Sequence, residues 1–505
     1  MGSTSSAAQR RRRQWTLALV TAAALLELAD EALLPAVYRE VGEALAASPT
    51  ALGSLTLCRA LVQAVCYPLA TCAAARYDRA RVVAAGAFLW AVATLLVGAS
   101  GTFLQRFLHV RARYLNASYV EELSCRWRWP GASTASVWRS LCRAIYSLVA
   151  DYSDDGTRGS AFAWVLMAQC MGQVAGNSLG VLLAATSFLG VPGWRLAFYA
   201  LALVSASIAA LTWVLGADPR PVCVKSTVAA TLAQLAGEAK DVVKVPTFQI
   251  IVAQGVAGTV PSSALSFAAM WLELVGFTHW QTTVITNLNS LANALGALFA
   301  GFVGDPLALR FPNTARIALA QVCTASTIPL AAVLLLALPV NPSAGAAYAA
   351  TFFIFGFVAP WCPVSTNNPI FAEIVPEKAR TTVYALDRCF ESVFASFAPP
   401  LVGILAEHVF GYQPAAAGTS VEADRENAAA LGKAVFAEIA VPIAVCCLTY
   451  TALYWTYPAD RQRAQMASLQ AAAGDHDCDC EATLVAHAAG VEGMNQTLLA
   501  GTRTE

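Results

Sequence analysis

The chain has 505 residues, of which 57% are hydrophobic and 13% are charged, whereas a soluble protein carries roughly 25% charged residues. Its mean hydropathy is +0.56, so the composition excludes an ordinary soluble protein and indicates that lipid faces much of the surface. The formal net charge is zero, which leaves no electrostatic basis for binding nucleic acid.

Apolar segments long enough to cross a bilayer recur along the chain, since about 20 helical residues span the hydrocarbon core. We number them as spans one to twelve in a twofold pattern and keep number four for a charged segment that interrupts the series. The predicted spans are Trp15–Val37, Leu52–Ala75, Val82–Phe103, Ala161–Leu189, Trp194–Gly216, Val245–Leu274, Trp280–Val303, Ala315–Val340, Ala344–Ile374, Thr381–Phe410 and Ala430–Tyr457.

The spans predict two similar halves, 15–216 and 245–457, joined by a cytosolic linker at 217–244. A basic cytosolic tail, 1–14, precedes them, and a hydrophilic tail, 458–505, follows and is expected to be disordered. With the N-terminus in the cytosol, most Lys and Arg residues fall on the cytosolic side, so the positive-inside rule favours both termini there. That arrangement requires an even number of spans.

Both tails carry residues that could be lipidated. Gly2 fits a myristoylation pattern, although an unmodified tail explains the same residues. Cys478 and Cys480 suit palmitoylation better than metal binding.

Residues 106–144 interrupt the pattern at the place of span four. They include nine charged side chains, and each would cost about 2.5–3.5 kcal/mol at the middle of a membrane.

A GC-rich back-translation of residues 127–143, read one base out of register, gives an apolar, glycine-rich segment that suits span four. We therefore favour a frame error or a retained intron. The alternative is a genuine extramembrane insertion with a glycosylation sequon at residues 116–118, and the transcript sequence decides between them.

Charged loops repeat between the halves. Residues 153–163 and 375–385 both contain an acid, then Arg, then an aromatic-Ala pair at the start of a span. Charges at such helix entrances can pair and hold neighbouring helices together, so we predict a gating latch. For residues 387–391 of span eleven, a position near the cytosolic end favours the latch over substrate contact. The predicted latch residues are Asp78, Arg79, Asp151, Arg158, Gly301, Asp305, Arg310, Glu377, Arg380, Asp387, Arg388 and Glu391.

Several of these strings resemble the major facilitator superfamily. Gly301 to Asp305, followed by basic residues, resembles its signature loop, although Ala75 replaces the family's acid in the matching loop after span two. In span five, glycines at 172, 176 and 180 resemble its antiporter-type motif, with Asn177 in place of Pro; the same spacing suits close helix packing equally well.

A narrower resemblance rests on residues 29–41, 366–377, 384–388 and 397–400, which look like plant and algal spinster-like facilitators. The resemblance covers roughly residues 27–457 apart from the charged segment. It implies an all-α membrane protein with two six-helix bundles and alternating access.

Charged residues inside a membrane are functional candidates. Glu27, Asp30 and Glu31 share one face of span one, where they can hold a proton or form salt bridges that fix the bundle. Arg59 of span two is assigned to the same coupling group. The family resemblance implies an additional Arg partner in span four.

Amides and one indole are the predicted substrate lining. Asn289 and Asn293 share a face of span eight, and Trp361, Asn367 and Asn368 lie in span ten. The asparagines can contact a solute or bond between helices, and the sequence leaves both open.

The sequence predicts a secondary active transporter of a small organic or lipid-like solute, with protons as a further partner. No catalytic constellation, metal-binding group or Walker loop is recognisable, so we predict no enzyme activity, cofactor or metal. The expected partners are the lipid bilayer and the solute, and the chain is expected to be a monomer. Two alternatives remain: a non-transporting membrane sensor or scaffold on this fold, and a non-functional product of a mis-translated span four.

Overall fold

A computed structural model of the protein describes residues 2–45, 47–57, 79–99, 158–184, 186–188, 190–216, 237, 240–375, 380–413 and 421–466. Span four, most of the linker and the end of the C-terminal tail lie outside these residues. So do four predicted site residues, which are Arg59, Asp78, Asp151 and Glu377. The side chains of Arg79, Arg158, Asp305 and Arg380 also lie outside the described atoms.

The described spans of the N-terminal half are long helices. The span-one helix begins within the predicted basic tail, and it is followed at a bend by the short helix Tyr38–Leu45. Residues 49–57 form the start of span two. Spans one, three, five and six are the helices Gly2–Ala36, Arg79–Ala99, Arg158–Ala184 and Gly193–Leu215.

A two-stranded hairpin joins spans five and six, although the sequence predicted helices alone. Ser187–Phe188 pairs antiparallel with Val191–Pro192. Gly190 in the turn has φ +78°, a conformation that favours glycine.

The helices of the C-terminal half are interrupted by short 3₁₀ and π turns. In a membrane, such irregular backbone is tolerated where protein or a cavity surrounds it. The helical segments are Pro246–Ala264 and Ala268–Val275 (span seven), His279–Arg310 (eight), Ala315–Ala332 (nine), Gly345–Val358 and Asn368–Ile374 (ten), Arg380–Ala395 and Ala398–Ile404 (eleven) and Val421–Thr451 (twelve). The turns are Leu265–Phe267, Val333–Ala337, Pro342–Ala344, Cys362–Asn367 and Leu405–Val409.

Seven helices in the described part of the chain are long and apolar enough to cross a membrane. Large apolar side chains point away from the protein on several of them: Leu203, Phe302 and Leu448 are each at least 70% exposed. Such exposure is costly in water but suits contact with lipid.

Glycines set the distance between spans one and five. A Cβ added to Gly172 would lie 2.8 Å from the carbonyl carbon of Leu25, and one added to Gly176 would lie 2.6 Å from the Cα of Ala29. The backbones therefore touch, so the glycine spacing serves close packing here. This packing fixes the turn of span one that carries Glu27 and Asp30.

Candidate functional site

A cavity of about 730 Å³ lies between the two halves. Spans one, two and five contribute wall residues from the N-terminal half, and spans seven to twelve contribute them from the C-terminal half. Its charged wall residues among those described are Glu31, Arg388 and Glu391, and many of the others carry hydroxyl or amide groups.

The three carboxylates of span one take different positions. Glu31 lines the cavity, whereas Glu27 and Asp30 are buried, with 5% and 3% of their surface exposed. Asp30 accepts a hydrogen bond from the Thr94 hydroxyl of span three at 3.1 Å. One carboxylate therefore meets the solute space, and two lie in the packing of the N-terminal half.

The predicted polar lining is only partly gathered at the cavity. Asn289, Asn293 and Asn367 line it, and Asn367 Oδ1 accepts a hydrogen bond from the Tyr450 hydroxyl at 2.9 Å. Asn289 of span eight lies close to Gly356 of span ten, where an added Cβ would be 2.6 Å from Asn289 Oδ1. This close contact holds the two spans together.

Trp361 and Asn368 are not among the wall residues. The Trp361 ring packs against Phe299 and Phe357, with centroids 5.2 and 6.0 Å away. The backbone carbonyl of Asn368 accepts a hydrogen bond from the Tyr384 hydroxyl at 2.7 Å. Both residues therefore support the helices behind the wall.

Arg388 and Glu391, which the sequence assigned to the latch, lie on the cavity wall. Arg388 Nη1 donates to Glu391 Oε2 at 2.9 Å. Asp387 is buried behind them, and its Oδ1 has no hydrogen-bond partner among the described residues. The sequence missed this placement because distance from a span end does not reveal which helix face meets the cavity.

Several wall residues were not predicted from the sequence. Asn177 donates to Thr286 Oγ1 at 2.7 Å and to Asn287 Oδ1 at 2.8 Å, and Asn287 donates to Ser178 Oγ at 2.8 Å. These bonds join span five to span eight across the two halves. Asn177 stands where the antiporter-type motif has Pro, and that departure was the available signal. Gln173 and Gln254 also line the wall, and no sequence pattern distinguishes them as wall residues.

One end of the cavity is closed by contacts between the halves, and we call it the Arg39 end. Arg39 Nη2 pairs with Asp424 Oδ2 at 3.1 Å. Glu407 Oε1 accepts from both the backbone amide and the hydroxyl of Thr50 at 2.8 Å. The Tyr38 and Phe267 rings lie 5.1 Å apart.

Backbone packing adds to this closure. A Cβ on Gly403 of span eleven would lie 2.5 Å from Thr50 Cα and 2.6 Å from the carbonyl carbon of Pro49. Gly53 is packed in the same way against the backbone of Pro399 and Pro400. The start of span two therefore fits against span eleven only because glycine occupies these positions.

The same end holds a buried acid. Burial, together with the nearby Glu273 carboxylate, raises the pKa of Glu40 to about 7. Both Glu40 oxygens are buried without a hydrogen-bond partner in the part of the chain that the structure describes.

The opposite end, which we call the Arg316 end, contains an ion-pair cluster within the C-terminal half. Glu373 pairs with Arg316 at 3.4 Å and with Arg461 at 3.1 Å, and it accepts a hydrogen bond from the Tyr457 hydroxyl. Arg316 Nη1 also donates to the Ser365 carbonyl at 2.8 Å. This cluster ties spans nine, ten and twelve together.

The predicted signature loop is helical. The span-eight helix continues through Gly301 and Asp305 to Arg310, and a Cβ added to Gly301 would have no described atom within 4 Å beyond its own helix turn and chain neighbours. Arg310 lies over the ring of Phe311 at 5.7 Å. The helix continues through Pro306, which lies inside it, and it ends at Arg310, two residues before Pro312.

Comparison with known proteins gives the family. Residues 141–399, just over half of the chain, match the family model described as Major Facilitator Superfamily. The chain belongs to the Major Facilitator Superfamily. No curated protein sequence gives a significant match.

Solved structures share the fold. A bacterial homologue of the human lysosomal transporter Spinster, inward-facing and unoccupied, has TM-score 0.72 and 17% identity over 89% of this chain and 98% of its own. A D-xylose–proton symporter has TM-score 0.62 and 14% identity over 86% and 96%. The nucleoside transporter NupG has TM-score 0.61 and 13% identity over 88% and 99%.

Family membership makes the chain a multi-pass integral membrane transporter and not an enzyme. The predicted all-α major facilitator fold is thereby confirmed. The solved structures show that the fold is shared.

Proposed function

We propose that this chain is a secondary active transporter of a small organic or lipid-like solute, of the plant and algal spinster-like branch. The observation that carries the proposal is the cavity between the halves, closed at the Arg39 end. A solute held there would contact both halves, so its binding energy can bias their relative position.

The wall supports a solute with polar groups. Glu31 from the N-terminal half and the Arg388–Glu391 pair from the C-terminal half line the same cavity, and Asn289 and Asn293 add amides to its wall. Phe352 and Phe355 supply an apolar patch on the same wall. A polar head with a short apolar part matches this mixture better than a hydrocarbon alone.

Proton coupling through span one is part of the proposal. Glu31 at the wall is the carboxylate that a solute can meet, and Glu27 and Asp30 lie one turn or less behind it. Carboxylates buried in a membrane protein are costly when charged, so proton uptake at one of them can accompany solute binding.

The proposed orientation places the Arg39 end outside and the Arg316 end in the cytosol. The Lys and Arg distribution of the sequence supports this orientation. The closed Arg39 end then corresponds to an inward-facing state, and the two halves would separate at that end to admit solute from outside.

The origin of the charged segment at the place of span four is a separate part of the proposal. The family match begins at residue 141, at the C-terminal edge of the charged segment 106–144. The match also leaves out spans one to three, so the frame error or retained intron rests on the charged residues and the out-of-register reading of residues 127–143. An uninterrupted transcript that encodes residues 106–143 as written would overturn this part of the proposal.

Transport is tested with the full chain in vesicles. A metabolite comparison of cells with and without the gene selects the solute, and its flux is then measured with imposed pH gradients. Asp30→Asn and Glu31→Gln should remove the dependence of flux on the gradient. Glu438→Gln is the matched control, because Glu438 is buried in span twelve but is not a cavity-wall residue. Absence of flux for every solute would contradict the proposal and favour the sensor or scaffold.

A further inference from the structure

Three metal-ligating side chains meet at the Arg39 end. Glu40 lies on the short helix after span one, Glu273 at the end of span seven and His279 at the start of span eight. One ligand atom of each lies within 4.8 Å of the other two. The first residue belongs to the N-terminal half and the other two to the C-terminal half.

The spacing of these atoms fits a tetrahedral metal ion. His279 Nδ1 is 2.9 Å from Glu273 Oε1 and 3.8 Å from Glu40 Oε1. Zn²⁺ bonds to imidazole nitrogen and carboxylate oxygen are about 2.0–2.2 Å long, so two ligands of one ion are about 3.3 Å apart. These two distances bracket that value, and the ligand oxygens of Glu40 and Glu273 lie within 4.8 Å of each other.

His279 Nδ1 and Glu273 Oε1 share a hydrogen bond, so a bound ion would replace the proton between them. Neither Glu40 oxygen accepts a hydrogen bond from a described residue, although both are buried. Arg39, the nearby guanidinium, is already paired with Glu43 and Asp424. The His279 side chain is 36% exposed, which gives an ion a path from solution.

We propose that Glu40, Glu273 and His279 form a binding site for a divalent transition-metal ion of the Zn²⁺ type that links the two halves at the Arg39 end. One imidazole and two carboxylates, with water as a fourth ligand, suit Zn²⁺, whereas Mg²⁺ and Ca²⁺ require more oxygen ligands. Because the ligands come from both halves, the complete site exists only while this end is closed. Bound metal therefore stabilises the closed state.

The sequence alone gave no sign of this site. Glu40 and His279 are separated by more than 200 residues, and the three ligands follow no short spacing motif. Only the closure of the two halves brings them together.

Direct binding of Zn²⁺ tests the proposal without any solute. Purified full chain in lipid nanodiscs is titrated calorimetrically with ZnCl₂, and Cys478 and Cys480 are replaced by Ser in every variant to remove thiols of the tail. We expect one Zn²⁺ per chain and no competition by MgCl₂. His279→Asn and Glu40→Gln should each weaken binding by at least about tenfold, since loss of even an outer partner of a metal site has that effect.

The matched control is Glu426→Gln, the same chemical change at an exposed residue of span twelve, and it should leave Zn²⁺ affinity unchanged. Equal affinity of His279→Asn and the parent chain, or no Zn²⁺ binding by the parent, would overturn the site. If His279→Asn weakens binding and a monodisperse Glu40→Gln does not, the link between the halves is overturned. Since the readout needs no transported solute, failure here leaves the proposed transport function to its own test.

Discussion

The two ends of the cavity differ in which helices their contacts connect. At the Arg39 end, partners belong to opposite halves: Arg39 pairs with Asp424, and Thr50 donates to Glu407. Separation of the halves at this end would break both contacts. These contacts therefore contribute to the equilibrium between the closed and open conformations of this end.

At the Arg316 end, the two ion pairs of Glu373 lie within one half. Glu373 joins Arg316 and Arg461, all in the C-terminal half. Relative motion of the two halves need not disturb this cluster. The comparison teaches that ion pairs of similar chemistry can govern conformational equilibrium at one end and helix packing at the other.

The largest effect on this comparison is expected from Gly403→Val. The new side chain would overlap the backbone of Pro49 and Thr50, and such overpacking costs about 3 kcal/mol or less when neighbours shift. The equilibrium constant for closure of the Arg39 end should fall by up to about 100-fold. Accessibility of the cavity to a water-soluble reagent from the Arg39 side measures the change.

Gly301→Val is the control for that substitution. It makes the same change in a span-eight helix where an added Cβ would have no described atom within 4 Å beyond its own helix turn and chain neighbours. It should leave closure unaffected. An equal effect of the two variants would mean that the glycine contact at the Arg39 end does not govern closure.

A smaller shift is expected from Glu407→Ala. Thr50 would lose the acceptor of its backbone amide and of its hydroxyl at a part-buried site that water can reach, so the loss lies near the lower end of the 1.5–3 kcal/mol range for a hydrogen bond to a charged group, at about 1.5 kcal/mol. The equilibrium constant for closure should fall by about 10-fold. Glu407→Gln, which keeps an acceptor, should lose less; a loss as large as that of Ala would contradict the role of these bonds.

The smallest effect on closure is expected from Glu373→Gln at the Arg316 end. It removes the charge that holds Arg316 and Arg461, and these partly exposed pairs contribute on the order of 1 kcal/mol in total. The thermal unfolding midpoint should fall slightly while Arg39-end accessibility stays the same. Exposed Glu426→Gln should change neither quantity. A change of closure in Glu373→Gln would erase the distinction between the ends.

The sequence predicted elements that depend on local pattern. Apolar runs give the spans because the bilayer fixes their length, and the helices from Gly193, Pro246 and His279 begin within two residues of expectation. The helix of span eight continues past its predicted end at Val303, because hydropathy marks the membrane boundary and not the end of hydrogen bonding.

The site was predictable only in part. Asn289 and Asn293 lie on the cavity wall, and their spacing and their polarity inside a span are local signals that the sequence carries; contact with a solute stays a prediction. The contact between Thr50 and Glu407 joins residues 357 apart in sequence, and no periodicity encodes such a pair. Arg388 was assigned to the latch because the sequence gives depth along a helix but not the neighbours on each face.

Distances between spin labels test the central claim that the Arg39 end is closed by contacts between the halves. Labels at Ala44 and Arg425 report that end, and labels at Arg81 and Leu309 report the other, in a chain whose native cysteines are replaced. The account predicts a single short distance for the first pair without solute, which Gly403→Val lengthens while the second pair moves closer. A broad first distance, or one that Gly403→Val leaves unchanged, would contradict the account.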